Sequence, residues 1–228
     1  MATTDKIERV STGIPGLDKL MEGGIPKGNT IAVLGEPGTG KTIVGILFLE
    51  EGLKNGETCI YLSIDERTDR IVMQANIFGC FKDPKGVLKV FSARDIKYDL
   101  GLGKKPQGRM DQIKLAMEKI QKLKPDRVVV DPVNSLNSAD GEGERTLTQF
   151  LVDKLNSIGS TNIVIGEAFE SDYPDKVTPF IVDGLVLLKK QSVGSQETRS
   201  IVVSKMRLTK IDGSVHPLEF TKTGIKVA

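Results

Sequence analysis

The chain has 228 residues, 39% hydrophobic and 27% charged, the make-up of an ordinary globular protein and enough for one core, so a single domain over 1–228 is expected. Its 32 basic and 30 acidic residues leave a formal charge of +2, which implies no bulk polyanion partner. No apolar run reaches membrane-span length, Met1 to Ser11 has no signal-peptide core, and two isolated cysteines with one histidine, His216, argue against a disulfide framework or a histidine metal cluster; a cytoplasmic location is expected.

Ser11 to Met21 predicts a short capped helix with Leu17, Leu20 and Met21 on one face, followed by the Gly23-Gly24 turn. Thr30 to Leu34 reads as a core strand, and Ile43 to Leu53 repeats apolar residues at helical spacing. Further along, strands are predicted at Thr58 to Ile64, Val87 to Phe91, Arg127 to Asp131 and Asn162 to Gly166. Helices are predicted between them at Thr68 to Phe78, Asp111 to Leu123 and Glu144 to Ile158, with Ile113, Met117 and Ile120 forming one stripe. That alternation predicts an α/β fold, a mostly parallel central sheet flanked by helices on both faces. Phe180 to Lys190 and Glu197 to Leu208 then read as two long strands joined at Ser192 to Ser195, with short strands at Pro217 to Thr221 and Ile225 to Val227. They predict a C-terminal antiparallel extension. The basic, glycine-rich stretch Gly101 to Arg109 reads as a solvated connection.

Between the first core strand and its helix lies Gly35-Glu36-Pro37-Gly38-Thr39-Gly40-Lys41-Thr42, a complete phosphate-binding loop. Its glycines remove the Cβ atoms that would keep main-chain N–H groups off a triphosphate. The helix it opens offers unpaired donors and partial positive charge to an anion. Glu36, Pro37, Gly38, Thr39, Gly40, Lys41, Thr42 and Ile43 are therefore the expected nucleotide contacts, with Lys41 reaching the β- and γ-phosphates and Thr42 ligating Mg²⁺.

Asp131 ends an apolar strand at the edge where doubly wound sheets bind ligands, and a carboxylate there can hold the Mg²⁺ shell. The plainer reading is a cap for the following segment. Ser135 suits a site water or an ordinary turn equally. Asp65 and Glu66 end the second strand, and alternation aims one of the two at the site. Glu66 is chosen as the base for a water attacking the γ-phosphate, against a plain helix-dipole role. Glu167 is a weaker candidate for sensing phosphate. Lys205 and Arg207 lie two apart in a predicted strand, on one face and about 6 to 7 Å from each other. They suit arginine-finger equivalents inserted into a neighbouring subunit, or else a charge-protected strand edge.

These residues resemble the KaiC-type ATPases of the RecA superfamily. The resemblance runs through the G-I-P-G-L-D stretch from Gly13, the Gly23-Gly24-Ile25-Pro26 turn and the phosphate loop. It continues through Ser63 to Arg67, the aspartate strand Val128 to Ser135, the K-M-R stretch Lys205-Met206-Arg207, and the His216-Pro217 and Gly224-Ile225 pairs. The resemblance is to the single-domain archaeal members more than to the two-domain circadian-clock protein. It implies a RecA-like P-loop fold and ATP bound with Mg²⁺ between subunits of a ring, commonly a hexamer. Glu66 is then the base and Lys205 and Arg207 the trans contacts. Three departures stand out. The family's Glu-Glu pair begins here with Asp65. The K-M-R stretch, usually followed by Gly, Thr, Ser and His, is followed by Leu208-Thr209-Lys210-Ile211. The clock protein's modified Ser-Thr pair falls near Pro179-Phe180, so such autophosphorylation is not expected.

The expected function is a slow ATPase with a regulatory or signalling role, acting on a protein partner that the chain does not name. One alternative is a RecA/RadA-like DNA-dependent ATPase of recombination or repair. The stretches after Asp131 and Glu167 oppose it: Asp140, Glu142, Glu144 and Arg145, then Glu170, Asp172, Asp175 and Lys176, are both net acidic where DNA phosphates would need cations. The other alternative is a non-hydrolysing nucleotide-binding module, opposed by the presence of Glu66.

Overall fold

A computed structural model describes residues 7–93, 108–133, 142–168, 178–193 and 196–228. Ser135, most of Gly101 to Arg109, and the acidic positions Asp140, Glu170, Asp172 and Asp175 lie outside them, as do the side chains of Glu142, Glu144 and Arg145.

The core strands are β3 (Thr30–Gly35), β4 (Thr58–Ser63), β5 (Val87–Ser92), β6 (Arg127–Asp131) and β7 (Thr161–Glu167). A small N-terminal ribbon pairs β1 (Arg9–Val10) with β2 (Ile25–Pro26). The helices are α1 (Lys41–Lys54), α2 (Thr68–Ile77), α3 (Arg109–Leu123), α4 (Glu142–Ile158) and a single turn, α5 (Thr178–Ile181). The C-terminal strands are β8 (Gly184–Val193), β9 (Gln196–Met206), β10 (His216–Thr221) and β11 (Gly224–Val227). Nine strands form one sheet in the order β11-β10-β9-β8-β3-β7-β6-β4-β5. From β5 across to β8 the pairings are parallel, and from β8 to β11 antiparallel.

Alternation along the buried strands splits the core into two layers. Ile31, Val33, Tyr61, Val129 and Ile165 face α1 and α2, whereas Ala32, Leu34, Ile60, Val128 and Val130 face α3 and α4. The predicted α3 stripe of Ile113, Met117 and Ile120 is buried in the second layer. Arg127 is also buried. Its guanidinium pairs with Glu57, donates to the Ser11 and Phe48 carbonyls, and lies 4.7 Å from the Phe48 ring. It staples the N-terminal segment to α1, and its full pairing removes the cost of a lone buried charge.

Two expectations need correction, and one is extended. Phe180 does not start a strand: Thr178–Ile181 is a helical turn, with Pro179 at its second residue, and the strand begins at Gly184. A proline near the start of a helical turn loses no needed N–H. The strand that follows belongs to both parts of the sheet: Ile31 to Gly35 pair with Gly184 to Leu188 in parallel register on one side, and β9 pairs with it antiparallel, as expected, on the other. The predicted helix from Ser11 shrinks to a 3-10 turn over Asp18–Met21. Its stabilising carboxylate is Asp18, which accepts from Thr12 N, Thr12 Oγ1 and Ser11 Oγ at 2.6 to 2.9 Å.

Candidate nucleotide site

The phosphate loop leaves β3 at Gly35 and closes on itself before α1 begins. Thr39 donates from Oγ1 to the Glu36 carbonyl at 2.8 Å, and Lys41 Nζ donates to the Gly35 and Glu36 carbonyls at 2.8 and 2.9 Å. Gly40 has φ 104°, a region that favours glycine, and a Cβ there would lie 3.0 Å from Phe220 Cζ. No side chain caps α1 and no acidic residue occupies its first turn. Its first N–H groups are thus left for a ligand, and an anionic phosphate suits them. Burial lowers the Lys41 pKa, while Glu167, Asp131 and Glu36 oppose that shift.

Parallel pairing places Ser63 of β4 beside Asp131 of β6, which gathers the predicted acidic groups at one end of the sheet. Thr42 Oγ1 donates to Asp131 Oδ2 at 2.8 Å, and Tyr61 donates to the same oxygen at 2.6 Å. Burial raises the Asp131 pKa, offset by the bonds from Tyr61 and Thr42 and by the charge on Lys41. Burial first, and the neighbouring Asp131 charge second, push the Tyr61 phenol well above its ordinary range. Among the described residues no three His, Cys, Asp or Glu side chains gather to hold a metal alone. Thr42 and Asp131 instead offer hard oxygen donors beside the phosphate loop, the donor set of a Mg²⁺ that takes its remaining ligands from phosphate and water. They fit such an ion.

Glu66 sits just past β4 with its backbone pinned: Ser63 Oγ donates to the Glu66 carbonyl at 2.7 Å and accepts from the Glu66 N–H at 3.0 Å. Its Oε1 accepts from Gln74 Nε2 at 3.4 Å. A 360 Å³ cavity opens here, lined by Asp65, Glu66, Arg67 and Arg70.

Lys205 and Arg207 are not brought to this end. Lys205 pairs with Leu185, which lies level with Ala32, three residues before Gly35. At about 3.3 Å per residue that is about 10 Å short of the loop. Lys205 Nζ donates to the Pro179 and Val182 carbonyls at 3.1 and 2.6 Å, and burial, with Arg207 nearby, lowers its pKa. Arg207 Nη1 reaches Asp183 Oδ1 at 3.0 Å. The two do not share a strand either, because β9 ends at Met206.

The cation that does reach the loop from the extension is Arg199, which sequence reasoning misses. It pairs with Lys190, beyond the level of Gly35, donates from Nε to the Gly38 carbonyl at 3.2 Å, and stacks 4.8 Å from the Phe220 ring. No motif surrounds it. Only the strand register reveals it. Tyr61 and Ser63 are also missed, although a phenol and a hydroxyl on a buried strand must each find a polar partner, which is a usable signal.

The family model for the KaiC ATPase matches residues 10–228. A UPF0273 protein of Methanopyrus kandleri is 32% identical, the match covering 97% of this chain and 92% of that one. A UPF0273 protein of Thermotoga maritima is 30% identical over 97% and 96%. The crystal structure of a KaiC-like protein from Pyrococcus horikoshii OT3 superposes with a TM-score of 0.83 at 27% identity, covering 98% of this chain and 100% of that one. Since the match takes in sheet, loop and extension together, the chain belongs to the KaiC family of ATPases and is similar to its single-domain archaeal members.

Proposed function

We propose that this protein binds ATP and hydrolyses it slowly, at sites completed between neighbouring copies in a homo-oligomeric ring, with the nucleotide state acting on a protein partner. A hexamer is the size the family resemblance suggests. One observation carries the reading: Lys41, the Thr42–Asp131 pair and Glu66 converge at a single end of the sheet, and the Glu66 backbone is tied down by a buried serine.

In this mechanism the N–H groups of residues 38 to 43 and Lys41 stabilise charge on the β- and γ-phosphates. Lys41 first leaves the Gly35 and Glu36 carbonyls, an exchange of one oxygen partner for another. Mg²⁺, when bound, supplies further charge neutralisation, and Thr42 and Asp131 would hold it. Glu66 orients the attacking water and takes its proton on a carboxylate oxygen. Lys205 and Arg207 lie too far down the sheet to serve their own loop, which supports their use on a neighbour's nucleotide. Asp183 and the Pro179 and Val182 carbonyls hold them in the free subunit.

ATP turnover measured on size-fractionated protein, with and without single-stranded DNA, tests the proposal. Turnover confined to the assembled fraction and indifferent to DNA is expected. DNA-stimulated turnover with steeply salt-dependent binding would move the protein to the recombination class, and binding without turnover would make it a nucleotide-sensing module.

A further inference from the structure

The turn after Met206 is gripped by the opposite end of the chain. Arg9 on β1 donates from Nη1 to Thr209 Oγ1 at 2.8 Å and to the Gly24 carbonyl at 3.2 Å. From Nη2 it donates to the Leu208 carbonyl at 3.1 Å and to Glu22 Oε2 at 2.8 Å. That same Glu22 oxygen accepts from the Lys210 N–H at 3.2 Å, and the Asp212 N–H donates to the Leu20 carbonyl at 3.1 Å. Thr209 Oγ1 in turn donates to the Arg207 carbonyl at 3.2 Å. The Arg9 side chain is only 13% exposed, whereas that of Arg207 is 58% exposed.

We propose that Arg9, paired with Glu22, is a positioning residue for the trans half of the nucleotide site, holding the turn that presents Arg207 to a neighbouring subunit. This rests on the reading in which Lys205 and Arg207 act across a subunit interface. Two features call for such a clamp. The β9 ladder stops at Met206, and beyond it Arg207 keeps one main-chain bond, from its N–H to the Asp183 carbonyl at 2.8 Å, so the bend that follows at Leu208 and Thr209 is left to other contacts. Leu208 then adopts φ 59°, a left-handed conformation that a leucine does not choose unaided. A guanidinium fork with several fixed donors is suited to hold the carbonyl and hydroxyl on either side of that bend. The N-terminal ribbon is thereby built into the trans contact rather than only packed against the core.

Co-expressed mixed rings test this. An Arg9→Ala subunit keeps its own loop and Glu66 but presents a misplaced Arg207, whereas a Glu66→Gln subunit lacks the base and presents a sound Arg207. Arg9→Ala alone should bind ATP normally and turn over roughly tenfold more slowly. Mixed with Glu66→Gln it should recover turnover above the sum of the two parents, as Arg207→Ala mixed with Glu66→Gln should. Recovery in the Arg207→Ala mixture without recovery in the Arg9→Ala mixture would overturn the clamp alone. No recovery in either would overturn the trans reading, and the clamp with it. Should Arg9→Ala fail to fold by circular dichroism, Thr209→Val, which removes one acceptor of the Arg9 fork, takes its place with the same expected and contrary results.

Discussion

The Tyr61 hydroxyl and the Thr42 hydroxyl both donate to Asp131 Oδ2, at 2.6 and 2.8 Å, so one carboxylate oxygen is fully occupied by the protein's own donors. The carboxylate is thereby oriented by a strand neighbour as well as by the phosphate loop. Tyr61→Phe removes one of these donors and leaves the buried ring volume nearly unchanged. It should weaken the fold by about 1 to 3 kcal/mol, the cost of leaving a buried charged acceptor short of a partner. It should also raise several-fold the Mg²⁺ concentration needed for half-maximal turnover, while Mg²⁺-free ATP binding, followed by calorimetry, stays put. An unchanged Mg²⁺ requirement would remove Tyr61 from the site.

In the proposed mechanism Glu66 is the base, so Glu66→Gln should bind ATP as tightly as the parent and lose about 10² to 10⁴ in turnover. Ser63→Ala offers a second, independent reading. It deletes both ties to the Glu66 backbone and should lower kcat about tenfold with little change in KM, the pattern of a mispositioned group rather than a lost binding contact. Equal losses in kcat and in ATP affinity for Ser63→Ala would instead indicate general damage to the loop.

Leu208, the residue after the K-M-R stretch, has φ 59°, a region that favours glycine. A left-handed leucine costs about 1 to 2 kcal/mol, and the extra freedom that glycine brings to the unfolded chain costs about 0.5 to 1 kcal/mol. Its side chain is largely exposed, so little packing is lost. Leu208→Gly should therefore raise the thermal midpoint by a few degrees at most. A fall in the melting temperature would show that the bend is not strained.

Both thiols are buried, and burial pushes the Cys59 pKa up to about 12 and that of Cys80 up to about 11, from an ordinary 9.0. A folded-state pKa above the unfolded value means stability that is fully present below about pH 9 and lost as pH rises toward 11 and 12. The denaturant midpoint should accordingly fall between pH 9 and 11, more steeply in the parent than in a Cys59→Ala/Cys80→Ala variant. Identical slopes for the two proteins would contradict this. At pH 8 both thiols should react slowly with Ellman's reagent until the chain is unfolded.

Much of the site is legible without coordinates because its chemistry is written in contiguous residues. The phosphate loop needs its glycines, lysine and threonine in one stretch, and Asp131 announces itself as a charge ending an apolar strand. The misreadings have a common origin. Phe180 sits in an apolar run that suits a strand, yet Pro179 and the start of pairing at Gly184 turn it into a helical loop. Lys205 and Arg207 alternate as strand residues should, yet the partner strand runs out after Met206. Arg199 carries no local signature at all. It meets Gly38 across 161 positions of chain only because β9 lies antiparallel to β8.

What the chain dictates by itself is therefore the set of elements and the phosphate-binding character of residues 35–42, since periodicity, turn chemistry and helix starts act within a few residues. Tertiary structure alone decides the strand order, the meeting of Tyr61 with Asp131, and the grip of Arg9 on Leu208 and Thr209. Such contacts join residues 70 to 200 positions apart. Their partners are selected by how whole elements bury their apolar faces, a collective outcome that no short stretch encodes.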